Sequence, residues 1–293
     1  MNWDDVRIFL AVARAGQMLG AARRLGLNHA TVSRRMDALE QALATKLFRR
    51  QTTGSELTPA GERFFTTAER VEADMIAARA DIDGEGEEIA GTVRIGAPDG
   101  FGVAFLAPRL GRLTERHSGL SIQLVPVPRA FSLSRREADI AITVERPTEG
   151  RLVAGKLVDY ALGLYASRAY AAAHGLPCTP DDLSNHRRVG YVADLVISPT
   201  LDYAAEFSPD WNAGVSVSSA LGQVEAVRSG AGIGILHTFI ARAMPDLVAV
   251  PAAPPISRAY WLVYHESVRP LRRIQTVATF ISEIVEKERR IFR

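Results

Sequence analysis

The sequence predicts an α/β protein in two units: a small all-helical N-terminal domain closed by a β-hairpin, then one long helix, then a larger unit of alternating strands and helices. Three observations carry this prediction. Residues 1–58 hold short runs of helical apolar spacing followed by a turn-flanked pair of strand-like pieces. After Pro59 the apolar residues recur at steps of 4, 3, 4, 3 and 4. Beyond residue 90 strand and helix candidates alternate, as in an open sheet with largely parallel strands.

The first helix runs from Trp3 to Ala15, with Val6, Phe9, Leu10 and Ala13 on one face and Gly16 to end it. A second, Met18 to Leu25, carries the small residues Ala21 and Ala22 for close packing. Gly26-Leu27-Asn28 forms a turn, and Asn28 caps a third helix from His29 to Leu43 whose inward stripe is Val32, Met36, Leu39 and Leu43. Lys46–Arg50 and Ser55–Thr58 flank the turn Gln51-Thr52-Thr53-Gly54 and read as a hairpin. Thr58 then caps a long helix with Pro59 at its first position.

On that helix Phe64, Ala68, Val71, Met75, Ala78 and Ile82 average close to 3.5 residues per turn, a coiled-coil spacing that implies a partner helix. The alternative is an amphipathic helix lying on its own domain; the dimer is the expectation because no core able to cover so long a helix lies nearby in sequence. The acidic, glycine-containing stretch 83–88 breaks the pattern as a hinge. Strands are expected at Val93–Ala97, Ser121–Val125, Asp139–Val144, Leu162–Ala166 and Gly232–Leu236, and helices at Val103–Arg116, Arg168–His174, Leu221–Ser229 and Pro270–Glu288.

Composition narrows the function. At 47% apolar and 23% charged, the 293 residues can bury sizeable cores, and a net charge of +2 does not suit a protein that coats nucleic acid without preference. The charge is uneven: residues 1–70 hold 11 Lys/Arg against 7 Asp/Glu, which marks that end as the one to meet a polyanion. One cysteine, Cys178, excludes an internal disulfide framework. An acidic start and no apolar run of membrane length predict a cytoplasmic protein with no membrane partner.

Enzyme signatures fail. Gly230-Ala231-Gly232-Ile233-Gly234 lacks the third glycine of a dinucleotide loop and precedes a strand rather than following one. Neither a nucleophile elbow nor a phosphate loop occurs, and the six histidines have no metal-ligand spacing. The expectation is no catalysis, no cofactor and no metal.

The N-terminal runs Phe9–Ala13, Gly20–Leu27 and Thr31–Glu40, with Leu47-Phe48-Arg49-Arg50 and Leu57-Thr58-Pro59-Ala60-Gly61-Glu62, closely resemble LysR-type transcriptional regulators. The resemblance implies a winged helix-turn-helix over 1–58, a dimerisation helix and hinge over 59–90, and a two-lobed effector-binding domain over 91–293. Lobe I would comprise 91–162 and 266–293, and lobe II 163–265. It also implies a homodimer, further paired into a homotetramer, on double-stranded promoter DNA, with contact to RNA polymerase.

A helix in the major groove reads bases with its N-terminal residues while flanking groups hold phosphates. That assigns His29, Ala30, Thr31 and Arg34 to base edges, Ser33 and Arg35 to the same interface, and Arg49 and Arg50 in the wing to phosphates or the minor groove. The sequence departs from the family at three places. Gln17 stands for a usual Ser, Asn28-His29-Ala30 for a usual Ser-Gln-Pro/Ser, and Ala44 for a usual Gly.

The later likeness rests on Gly91–Pro98, Glu137–Ile142 and Gly230–Leu236. In a fold of this kind the ligand sits at the carboxyl ends of strands between the lobes. The expected cleft residues are Asp99, Gly100, Phe101, Pro128, Arg129, Thr143, Ile197, Ser198, Gly232 and Ile233. Their ligand class stays open: Arg129 suits an anion, whereas Asp99, where the family often has Ser or Thr, suits a cation.

Overall fold

Helix α1 (Trp3–Ala15) starts with a reciprocal cap, in which the Asn2 side chain accepts from the Asp5 N–H at 2.9 Å and the Asp5 carboxylate accepts from the Asn2 N–H at 3.0 Å. The computed structural model describes residues 2–51, 54–83, 89–126, 138–148, 150–195 and 202–293. Helices α2 (Met18–Leu25) and α3 (His29–Ala42) follow, and Gly16 and Gly26 supply the left-handed residues (φ +66° and +65°) that stop α1 and α2. Phe9, Leu10, Val12, Ala21, Val32 and Leu39 are fully buried where the three helices meet. Strands β1 (Phe48–Gln51) and β2 (Gly54–Leu57) form the expected antiparallel hairpin.

Thr58 caps helix α4 (Pro59–Asp83) as expected: its hydroxyl accepts from the Gly61 N–H at 3.0 Å and donates to the Lys46 carbonyl at 2.7 Å. Gly61 is required by crowding, since a Cβ there would stand 2.1 Å from the Leu47 carbonyl oxygen.

In chain order the second unit comprises β3 (Gly91–Ala97), α5 (Asp99–Phe101), α6 (Gly111–Arg116), β4 (Leu120–Pro126), β5 (Ile140–Thr143), β6 (Leu152–Ser167), α7 (Arg168–His174) and β7 (Arg188–Gly190). It continues through α8 (Ala204–Phe207), β8 (Val215–Ser216), α9 (Ala220–Arg228), β9 (Ile233–His237), α10 (Thr238–Ala241), β10 (Leu247–Ala249), β11 (Ile256–His265) and α11 (Arg272–Lys287). The single helix expected over Val103–Arg116 is divided into a π-turn (Gly102–Leu106), a 3-10 turn (Ala107–Arg109) and α6, a break that coincides with Pro108 and Gly111.

Strands run in the order β4-β3-β5-β11-β6-β9-β7-β8, with β10 also on β6. Pairs within each lobe are parallel: β3 with β4 and β5, and β7 with β8 and β9. In this sheet, among the described residues, every antiparallel pair involves β6 or β11, the two crossover strands. β6 pairs with β11 from Leu152 and with β9 through Leu162–Tyr165, so it passes from one lobe into the other. β11 returns, and its Trp261–Tyr264 pair with β5 of lobe I, inside the stretch the sequence assigns to lobe II. Its pairing with β6 shifts register between Tyr260 and Trp261. Among the described residues no helix is long and apolar enough to cross a membrane.

Candidate nucleic-acid interface and inter-lobe cleft

The Asn28 side chain accepts from the Thr31 N–H at 2.7 Å, which fixes the start of α3 and leaves His29 and Ala30 exposed on its first turn. His29, Ala30, Ser33, Arg34, Asp37, Ala38 and Gln41 share one open face, while Val32, Met36 and Leu39 are buried behind it. Thr31 is half-buried at the edge. Asp37, Ala38 and Gln41 are the members that sequence reading missed; the steps of four from His29 through Ser33 and from Ala30 through Arg34 were the signal for them.

Arg35 points elsewhere. Its guanidinium donates to the Asp5 carboxylate at 2.9 Å, so it ties α3 to α1. Arg49 is exposed on β1, and the side chain of Arg50 lies outside the described residues. Glu40, on the buried side of α3, holds the wing: it accepts from the Leu47 and Phe48 N–H groups at 2.8 and 3.2 Å and pairs with Lys46 at 2.5 Å. Burial pushes its carboxyl pKa up, but Lys46 and the two N–H groups outweigh that and hold it below the ordinary value.

On α4, Phe64 and Ala68 pack on the chain's own N-terminal core. Phe64 meets Phe9 edge-on at 4.9 Å between centroids, and Ala68 is 2% exposed. Val71, Met75 and Ala78 face outward, Val71 at 42% and Met75 at 51% exposure. The side chain of Ile82 lies outside the described residues.

Between the lobes, the carboxylate of Asp99 accepts from the Ser219 hydroxyl at 2.6 Å and from the Leu221 N–H at 3.2 Å. It therefore sits at the N-terminus of α9, whose cap is Ser219. A Cβ on Gly100 would lie 3.3–3.5 Å from Ala220, His237 and Ile240, so the missing side chain lets lobe I approach lobe II. His237 stacks on Tyr160 at 5.2 Å; burial lowers its pKa to about 4 against the pull of Asp99, which keeps the ring neutral near pH 7.

Other expected cleft residues go into packing. Phe101 is fully buried among Phe105, Tyr260 and Phe292, with centroids 4.8–6.2 Å away. Gly232 and Ile233 belong to the approach of β9 to β7: Ile233 donates to the Arg187 carbonyl at 2.8 Å, and a Cβ on Gly232 would stand 2.3 Å from that same oxygen. The Thr143 hydroxyl donates to the Glu145 carbonyl at 2.6 Å at the end of β5. Pro128, Arg129, Ile197 and Ser198 lie outside the described residues.

A cavity of about 320 Å³ opens in lobe II, lined by Tyr191, Tyr203, Trp211, Asn212, Gln223 and Asp202 among others. None of these was expected from sequence, because they come together from β7, α8, α9 and the loops between. The cavity shares the first turn of α9 with the Asp99 site: Gln223 lines it, and Ser219 and Leu221 hold Asp99.

Residues 3–62 match the family described as bacterial regulatory helix-turn-helix protein, lysR family, and residues 86–285 match the LysR substrate binding domain. The HTH-type transcriptional regulator CrgA of Neisseria meningitidis serogroup C (strain 8013) is 26% identical over 241 residues, 82% of this chain and 80% of that protein. A solved structure of CrgA from Neisseria meningitidis superposes with a TM-score of 0.59 at 23% identity, covering 97% of this chain and 99% of that one. Full-length LysG from Corynebacterium glutamicum, solved with bound effector Arg, gives 0.62 at 22% identity, covering 97% and 99%. At these identities the two structures establish a shared fold.

Proposed function

The chain belongs to the LysR family of transcriptional regulators, which bind DNA and carry an effector-binding domain, and from that premise we propose that α3 reads a specific operator while a small molecule between the lobes modulates it. The observation that carries the reading is the open face of α3. His29, Ala30 and Arg34 are exposed on its N-terminal turns, the part of a recognition helix that meets base edges. Arg34 suits a two-pronged bond to guanine, and Ala30 or Thr31 a thymine methyl. Ser33 and the wing arginines Arg49 and Arg50 take phosphates, whereas Arg35 acts by positioning α3 through Asp5.

The protein works in the cytoplasm as a homodimer formed along α4, assembling further into a tetramer, and its DNA-bound form contacts RNA polymerase. From the cleft between the lobes the effector reaches into the lobe II cavity beside α9, whose volume of about 320 Å³ lies at the small end of ligand pockets. That LysG, a protein of the same fold, was solved with a bound effector supports a small metabolite as the occupant.

Binding of the chain's promoter fragment and of random duplex, across a salt series, tests the DNA assignment. Arg34→Ala should weaken the promoter complex by about 1–3 kcal/mol and relax preference at one base pair. Arg50→Ala should weaken both duplexes alike and flatten the salt slope. Equal losses on both duplexes for both variants would remove Arg34 from the base-reading set.

A further inference from the structure

Asp99 occupies a position where a ligand carboxylate would be expected. A helix N-terminus offers unpaired N–H groups and a partial positive charge, which makes it a ready anion site. At α9 the Ser219 hydroxyl and the Leu221 N–H already donate to Asp99, which reaches across from the other lobe. The chain supplies its own carboxylate at that point, and a second anion there would meet both an occupied donor set and like charge.

Apart from the α9 terminus, no cationic side chain among the described residues bonds to Asp99. His237, beside Gly100, is neutral near pH 7. Arg258 is paired with Glu206. Arg188 lies 5.9 Å from the ring of Trp211 and donates to the Asp210 carbonyl at 2.6 Å, without lining the cavity. The described lining has one ionic side chain, Asp202, together with the aromatic rings of Tyr191, Tyr203 and Trp211 and the amides of Asn212 and Gln223. The field of Asp99 reaches these walls: burial first and then Asp99 raise the pKa of Tyr191, and burial, Tyr191 and Asp99 raise that of Tyr203. Asp99 stands beside this cavity rather than in its lining: the Tyr191 hydroxyl on the wall donates to the Ser218 carbonyl at 3.0 Å, next to the Ser219 that holds Asp99. A carboxylate on the wall, a second at the mouth and aromatic faces between suit an ammonium or guanidinium group.

On the reading that the effector binds between the lobes, we propose that the cleft selects a small organic cation rather than a carboxylate, and that Asp99 is the residue that sets this choice. An incoming cation pairs with Asp99 while its apolar part enters the cavity against Tyr203 and Trp211. A cation on that carboxylate competes with the bonds from Ser219 and Leu221, so ligand charge is linked to the distance between the lobes.

The test uses the full-length chain and two matched panels with the same side chains: amino acid amides, which carry an ammonium and no carboxylate, and N-acetyl amino acids, which carry the reverse. Thermal stabilisation and quenching of tryptophan fluorescence report binding to wild type, Asp99→Asn and Asp99→Ser. At least one amide should stabilise wild type, its N-acetyl counterpart should not, and Asp99→Asn should weaken the amide at least tenfold. Asp99→Ser, with the α9 donors released, should gain a response to N-acetyl compounds.

An N-acetyl compound that binds wild type and is indifferent to Asp99→Asn overturns the proposal. So does silence of both panels against wild type and Asp99→Ser together. Gln223→Leu separates the two layers of the argument. If the charge preference follows Asp99 but Gln223→Leu and Tyr203→Ala both leave binding unchanged, the cavity assignment fails while the charge selection stands.

Discussion

Ala44 carries a backbone angle that an L-residue rarely adopts, with φ +48°, and is the non-glycine residue so placed among those described. The reason is the way α3 ends. The Thr45 N–H donates to the Glu40 carbonyl and the Ala44 N–H to the Gln41 carbonyl, both at 3.1 Å, which closes the helix in a Schellman turn whose first outside residue must be left-handed. Relief of that strain is worth about 1–2 kcal/mol, and the extra unfolded-state freedom of glycine takes back about 0.5–1 kcal/mol. Ala44→Gly should therefore stabilise the N-terminal domain by about 0.5–1 kcal/mol in urea denaturation; a midpoint that stays put or falls would show the turn to be relaxed as it is. Sequence alone shows Ala44 where related chains have Gly, but not how far the angle is strained. The cleft was harder to read for a similar reason. Phe101, Gly232 and Ile233 sit at strand or helix ends, where sequence puts ligand contacts, and only three-dimensional packing reveals that neighbouring elements cover them.

Helix α4 was legible in its start and length, since Thr58-Pro59 and an uninterrupted apolar stripe leave little alternative to a long helix. What the spacing could not tell is that the stripe serves two surfaces. Its first two members, Phe64 and Ala68, are consumed by the core around Phe9, and the outward stripe begins at Val71. Val71 and Met75, large apolar residues, stay about half exposed beyond that core, on the stripe proposed for the dimer. Val71→Glu would place a carboxylate in that apolar seam, where an unpaired charge is strongly disfavoured. Sedimentation should show the dimer weakened with circular dichroism unchanged; an unaltered dimer would place the interface off this stripe. The crossover strands show the opposite case. Of β6 only Leu162–Ala166 was readable, because its earlier part carries Gly155, Lys156 and Asp159 at exposed or half-exposed positions between the lobes. β11 was missed altogether, its alternation obscured by half-buried residues on both faces.

At the scale of the whole chain, the two units meet in a buried charge cluster. Arg14, at the end of α1, donates to Glu72 at 2.6 and 3.2 Å and to Glu69 at 3.3 Å, and all three side chains are at least nine-tenths buried. On the other side of Glu69 lies His265, the last residue of β11, with Nε2 at 3.8 Å from the carboxylate. The Ser267 N–H donates to Nδ1 of that ring at 3.2 Å, so in the neutral ring the proton sits on Nε2 and faces Glu69. Helix α4 packs here on the turn Glu266–Val268. A crossover strand between the lobes thus ends on a carboxylate that is itself held by the DNA-reading domain, and the expectation is that displacement of β11 reaches α1 through Glu69. This coupling is measurable as a double-mutant cycle between Glu69→Gln and His265→Gln in denaturant unfolding. Contacting residues typically show interaction energies of about 0.5–3 kcal/mol, whereas independent sites add to within about 0.3–0.5 kcal/mol. The expected result is a coupling near 1 kcal/mol, together with a change in promoter affinity for either single variant although neither residue lies on the open face of α3. Additive losses with unchanged promoter affinity would mean that the junction holds the two units side by side without passing movement between them.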